Sequence, residues 1–351
     1  MVARMLDRDA GAALDRARGA RDRVAALTET VRAYEAGLAA LREGLRQASL
    51  RERAIEAEFA DETDRLARLL GVLQTIEAAP EPNLLLHPQG PLGTARAGMI
   101  VADVTPALAR DAAELRARLE EIATLRSLQD AAVATLEQGL QGVQRARTEL
   151  SQAVANRTDL PKRLVTDEVA MANLLAAADT LESFTGGLAG TGVIDSSVAV
   201  ETADFAAARG TLTLPVLGRV IRRAGEADAA GVRRPGWVVA TRPLTLVTTP
   251  WPATIRYLGP LLDYGQVAVL EPGEGYLLVL AGLGRLFGTV GEVLPKDAPV
   301  GLMGGATLAD DQAFLITSAE GGGVDATETL YIELRMNGEP LDPGDWFAEA
   351  E

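Results

Sequence analysis

The 351-residue chain reads as an α+β, multidomain protein: a long antiparallel helical hairpin, a short apolar helical stretch, and a mostly antiparallel β domain. Three observations predict this. Apolar residues in the first 160 positions recur at heptad spacing, and one dense cluster of prolines interrupts them. After Leu214-Pro215 the helical period disappears, while β-branched residues, Gly and Pro become frequent.

The first arm is carried by Val24, Leu27, Val31, Tyr34, Leu38, Leu41 and Leu45, whose spacings alternate between three and four. Such a seam is what two helices need in order to pack along their length. A second register continues it at Ile55, Phe59, Leu66, Leu69, Leu73 and Ile76, with Glu62 as a polar interruption. About 60 helical residues at about 1.5 Å each would make a rod of roughly 90 Å. The outer positions mix Arg with Glu, which suits a solvated arm better than a membrane-surface helix, whose polar face is basic.

Pro80, Pro82, Pro88 and Pro91 then predict a turn near 79–98, since proline removes backbone donors and clashes with the preceding turn. Leu84 to Leu86 make this turn apolar, and it holds His87, the chain's one histidine. Helix is expected again from about Met99 or Thr105 to Asn156, through Leu108, Leu115, Leu119, Ile122, Leu136, Leu140, Val143, Leu150 and Val154. Residues 1–160 are thus read as a coiled-coil hairpin.

Residues 161–190 form a separate region. A third helix is expected over Leu164 to Phe184, broadly apolar through Met171, Leu174, Leu175, Ala178 and Leu181 and lacking a strong heptad, so it should cover another element. Gly186 to Gly192 read as a flexible linker. Residues 191–351 are the β domain, with strands expected at Trp237–Thr241, Leu244–Thr248, Thr254–Leu258, Gln266–Leu270, Tyr276–Ala281, Val300–Met303, Ala313–Thr317 and Thr329–Leu334, and loops at Ala306–Asp311 and Glu320–Asp325.

Composition removes several functions. A formal net charge of -15 repels phosphate backbones and anionic lipid at long range, which argues against nucleic acid as a partner. No Cys is present, so neither disulfides nor thiolate metal ligands or nucleophiles exist. No apolar run approaches the length of a membrane-spanning helix, and Met1 to Asp9 do not read as a secretory signal.

The β domain resembles the zinc endopeptidases of the LytM, or M23, type, segment by segment in order. Arg233-Arg234-Pro235-Gly236-Trp237-Val238 resembles the family's His-x-Gly-x-Asp strand, and Ala253 to Pro260 with Tyr264 to Leu270 resembles its central hairpin. Glu271 to Leu283 is similar to its Gly-Tyr strand ending in Ala-His-Leu, and Val290-Gly291 and Pro299-Val300-Gly301 match the turn and strand before the last hairpin. Thr327 to Arg335, followed by Asn337-Gly338, Pro340 and Trp346, resembles the final His-x-His strand.

Every reactive position departs from that pattern. The slots for zinc ligands and catalytic histidines hold Arg234, Val238, Gly282, Thr329 and Tyr331. A catalytic zinc needs His or carboxylate donors, and valine and glycine supply none, while a guanidinium repels the metal. Hydrolysis through zinc is therefore argued out, and no cofactor is expected.

A degenerate domain of this kind behind a coiled coil is similar to the EnvC-like murein hydrolase activators. The resemblance implies a non-catalytic, periplasmic protein that activates a peptidoglycan amidase through the former active-site groove. It also implies an arm docked on the FtsX periplasmic domain of the FtsE-FtsX complex in cell division. The helix carrying Met171, Leu174, Leu175, Ala178 and Leu181 would cover the groove at rest. Motif matching places Arg234, Pro235, Val238, Tyr264, Val267, Tyr331 and Arg335 at the amidase-binding groove. A peptidoglycan-binding scaffold is the alternative function. For Val238 and Val267 the alternative is core packing, and for Arg335 a surface ion pair. Tyr331 alternates with Ile332, so its ring should lie on the opposite face of the strand.

Overall fold

A computed structural model describes residues 20–77, 90–158, 160–163, 168–190, 204–305 and 328–348. The expected strand Ala313–Thr317, both expected loops, the Leu84–Leu86 triplet and His87 lie outside the described residues. Four helices are α1 (Ala20–Glu77), α2 (Gly90–Ala155), α3 (Glu168–Ala177) and α4 (Leu181–Gly190). The strands are β1 (Gly218–Arg222), β2 (Trp237–Thr241), β3 (Leu246–Thr248), β4 (Ala253–Pro260) and β5 (Gln266–Gly273). They continue with β6 (Tyr276–Leu286), β7 (Val293–Leu294), β8 (Pro299–Met303), β9 (Glu328–Met336) and β10 (Glu339–Leu341).

The chain separates into two compact units, one holding residues 41–136 and the other the described residues of 20–40, 137–305 and 328–348. In the first, Leu45, Ile55, Ile122 and Leu136 are buried. Arg51 pairs with Glu121, and Arg126 with Glu52 and Glu56, at 2.8, 2.6 and 3.1 Å. These pairs are largely solvated and contribute about 0–1 kcal/mol each, so the apolar stripe carries most of the association. Leu119, expected among the packing positions, is instead exposed, as is Leu128. The helix α2 begins at Gly90, ahead of Met99, and continues through Pro106. Proline inside a helix removes one ladder bond and bends it without always ending it.

The second unit is built on one sheet in which β1-β2-β9-β6-β5-β4-β7 are neighbours in that order, with β10 on β9 and β8 pairing β3 and β6; each of these pairs is antiparallel. Strands β1, β7 and β10 were not expected; they are short, and only their partners make them strands. Alternation along β9 sends Leu330, Ile332 and Leu334 into the main core with Trp237, Val239, Leu278, Leu280 and Phe347. Tyr331 goes to the opposite face, into a second cluster. Asn337 and Gly338, both with positive φ (53° and 87°), make the tight β9–β10 turn.

Residues 20–40 of α1 and 137–155 of α2 belong to this unit and are tied to each other and to the sheet. Glu35 of α1 accepts from Arg147 Nη2 at 2.8 Å and from the Leu246 amide at 3.0 Å. Burial pushes its carboxyl above the ordinary value, against the pull of Arg147. Between α2 and α3 the chain is tied to the sheet: the Arg163 amide donates to Gly291 O, the Val293 amide to Pro161 O, and Arg157 meets Glu292 at 3.2 Å.

Where one apolar helix was expected over 164–184, the described residues form two, α3 and α4. Thr180 starts α4 by exchanging capping bonds with Ser183: the Ser183 amide donates to Thr180 Oγ1 and the Thr180 amide to Ser183 Oγ. Gly186 to Gly190, expected as linker, belong to α4. At Gly187 a Cβ would sit 2.2 Å from Leu174 Cδ1, so this glycine serves close packing of α4 on α3.

Candidate functional site

The second face of the sheet is organised in rows fixed by strand register. Val238, Tyr331, Ala281 and Val267 are successive partners across β2, β9, β6 and β5. The next row is Glu333, Val279, Val269 and Tyr257, and the third begins with Arg335 opposite Leu277. Because β9 alternates, Thr329, Tyr331, Glu333 and Arg335 all project to this side.

Helices α3 and α4 lie on these rows. Ala178, Leu181, Phe184 and Leu188 share one buried cluster with Val238, Tyr257, Val267, Val269, Leu277, Val279, Ala281 and Tyr331, and Met171, Leu174, Leu175 and Tyr264 pack against it. Phe184 meets the edge of Tyr257 at 4.9 Å between ring centroids. Polar ties add direction: Arg335 Nη1 donates to Thr185 Oγ1 at 2.8 Å, and Arg256 Nη2 donates to Leu188 O at 3.2 Å. The latter places a guanidinium at the C-terminal end of α4, where helix carbonyls are electron-rich.

Beneath the helices runs a buried chain of polar groups. The Gly236 amide donates to the Tyr331 hydroxyl at 3.1 Å, and that hydroxyl donates to Glu333 Oε2 at 2.6 Å. Arg335 Nη1 stands 2.9 Å from Glu333 Oε1 as an ion pair, with both side chains 2% exposed. Arg335 Nε donates to Gly338 O at 3.0 Å. Burial raises the pKa of Tyr331, and the neighbouring Glu333 carboxylate adds to the effect. Burial also raises the pKa of Glu333, opposed by the Tyr331 hydrogen bond and the charge of Arg335. The ion pair of Arg335 is therefore a buried one, against the surface pair weighed from sequence; the helix above it supplies the burial.

The rim is different. Arg234 and Pro235 are exposed, Arg234 Cζ stands 5.9 Å over the Tyr264 ring, and Tyr264 is tilted on Tyr331 at 5.6 Å. Of the positions matched from sequence to the zinc-peptidase pattern, Val238 and Tyr331 are directly paired, Thr329 is exposed and pairs Ala240, and Gly282 follows Ala281, the partner of Tyr331. Gly282 has φ 95°, and a Cβ there would stand 2.5 Å from Thr329 O. Among the described residues no cluster of three or more His, Asp or Glu side chains is arranged to hold a metal ion. What the face offers chemically is a hydrophobic and aromatic floor with buried guanidinium and carboxylate groups.

Glu333, Arg256, Tyr257 and Thr185 take part in this arrangement without having been singled out from sequence. For Glu333 a signal existed, because it lies two positions from Tyr331 on an alternating strand. For Arg256 none did: a β-bulge between Ile255 and Tyr257 shifts the register at that point.

No family model matches the chain. A stretch of 152 residues is 28% identical to an uncharacterized protein, NMB1333, of Neisseria meningitidis serogroup B, covering 43% of this chain and 22% of that protein. The match thus spans about a fifth of the relative's length. Solved structures similar to the chain include Helicobacter pylori Csd3, at 19% identity and TM-score 0.30 over 40% of this chain and 35% of that one. A zinc containing peptidase from Vibrio cholerae matches at 14% and 0.29 over 40% of each chain. The catalytic domain of lysostaphin from Staphylococcus simulans matches at 15% and 0.28, over 36% of this chain and 89% of that one.

Proposed function

We propose that the chain is a non-catalytic activator of periplasmic N-acetylmuramoyl-L-alanine amidases in cell division. In this reading its groove is closed at rest by α3 and α4 and opened through a coiled-coil hairpin that answers to the FtsE-FtsX complex. The observation that carries the reading is the row Val238–Tyr331–Ala281–Val267. It contains two former reactive slots, has lost every zinc donor, and is packed against Leu181, Phe184 and Leu188.

A face with Tyr and Arg around an apolar floor has the residue types that anchor protein partners. Uncovering it has a cost: burial of Leu181, Phe184 and Leu188 stabilises the closed form by about 5 to 9 kcal/mol in total, as an upper estimate. A partner that bound both forms equally would shift nothing, so opening needs differential binding or force through the arm. Arg157, Pro161 and Arg163, which lie between α2 and α3 in sequence, are tied to Gly291, Glu292 and Val293.

The test compares the whole chain with its Phe184→Asp variant for release of dye from labelled sacculi by a purified amidase. The reading expects weak activation by the unaltered chain and several-fold more by the variant, with no release when the amidase is omitted. Release by the amidase that neither protein changes would sink it.

A further inference from the structure

The covering helices leave part of the groove face open, and that part is basic. The first row does not stop at Val238: its partner on β1 is Arg222. The adjoining row runs Arg219, Ala240 and Thr329, with Gly282 next to Thr329. Paired residues of neighbouring strands share a face, so Arg219 and Arg222 project on the groove side. Arg219 and Thr329 are exposed, and Ala240, Gly282 and Arg222 are half-buried. Arg234 adds a third guanidinium at the same rim, over Tyr264.

The segment 219–234 holds five arginines against two acidic residues, in a chain whose formal net charge is -15. Both acidic groups are engaged locally. Asp228 accepts from the Ala230 and Val232 amides, which with nearby Arg222 and Arg234 lower its pKa, and Glu226 accepts from the Arg223 amide. The hairpin therefore presents a local field opposite in sign to that of the whole molecule. Guanidinium groups suit carboxylates, which they bind in bidentate fashion. The residues paired or adjacent between them, Ala240, Thr329 and Gly282, carry short side chains or none. The bulge at Ile221 and the flanking arginines oppose simple strand addition at the β1 edge.

We propose that Arg219, Arg222 and Arg234 form a docking site for a carboxylate-rich segment of a protein partner, engaged at the open end of the groove while α3 and α4 still cover the rest. The proposal rests on the activator reading for the partner's identity, but its first test uses no amidase.

Binding of a fluorescein-labelled decaglutamate peptide to the whole chain is followed by anisotropy, with phosphatidylglycerol vesicles and purified sacculi as parallel arms. Saturable peptide binding is expected at low salt, weakening about tenfold or more between 50 and 300 mM salt. The Arg219→Gln/Arg222→Gln/Arg234→Gln variant should lose about tenfold, and an Arg53→Gln/Arg116→Gln/Arg145→Gln control on the arms should not. Melting curves of both variants verify that they fold. Peptide binding that is absent, or indifferent to the triple change, overturns the proposal. So does a result in which vesicles or sacculi bind through these arginines and the peptide does not. A second arm adds the amidase. If the peptide result holds and no activation occurs, only the activator reading fails; if activation occurs and is unchanged in the triple variant, only the docking site fails.

Discussion

Replacing Arg335 by Met tests whether this residue holds the fold or waits at a surface for a partner. Its guanidinium is 2% exposed, pairs Glu333 at 2.9 Å, and donates to Thr185 Oγ1 and Gly338 O at 2.8 and 3.0 Å. Met restores most of the volume but leaves the Glu333 carboxylate buried beside Tyr331 without its cation. Breaking a buried pair from one side costs about 3–5 kcal/mol. In a unit of about 200 residues each kcal/mol moves the melting temperature by about 2–4 °C, so a fall of about 6–20 °C is expected. The Arg335→Met/Glu333→Gln double variant should recover a large part of this, because it removes both charges. Thermal unfolding of the four proteins closes a double-mutant cycle, and a coupling energy of at least about 1 kcal/mol is expected. A fall no larger than that of Arg209→Ala, whose ion pair is exposed, together with coupling near zero, would refute the buried-pair argument.

Three further outcomes follow from the same geometry. Glu333 and Glu35 both have folded pKa values above their ordinary 4.5, so the folded state holds their protons more tightly and their contribution is full below that value. It is lost as pH rises through the folded pKa, by up to about 1.4 kcal/mol per pH unit and group. Melting temperatures from pH 4.5 to 8 should therefore fall more steeply for the native chain than for Glu333→Gln or Glu35→Gln, and parallel curves would contradict it. Phe184→Ala removes a fully buried ring and is expected to cost about 3–5 kcal/mol locally, raising amide exchange in Leu181–Gly190 about 100-fold or more with β5 and β6 unchanged; uniform exchange rates would count against local opening. Gly282→His puts a side chain at φ 95° against Thr329 O, so it should destabilise by at least about 1–3 kcal/mol and gain no zinc affinity by calorimetry. An unchanged melting temperature would show that the backbone there yields.

Local pattern was sufficient for much of this chain. The alternation of β9 separates Tyr331 from Ile332, and the strands expected at Trp237, Gln266, Tyr276 and Val300 stand within a few residues of their observed bounds. That Arg234, Val238, Gly282, Thr329 and Tyr331 include no histidine or carboxylate is also a matter of residue types, which need no coordinates. Other features came from partners distant in sequence. Gly187 reads as a linker residue until Leu174 is seen against it, because glycine's small size and its flexibility look identical in a string of letters. Arg335 reads as a surface charge until Thr185 and the body of α4, 150 positions earlier, are laid over it. Arg222 has no visible relation to Val238 until β1 pairs with β2. Periodicity reports which face of an element is apolar, since that depends on spacing along one segment. What lies on that face, and so which charges are buried and which remain open to a partner, depends on contacts that chain folding brings together.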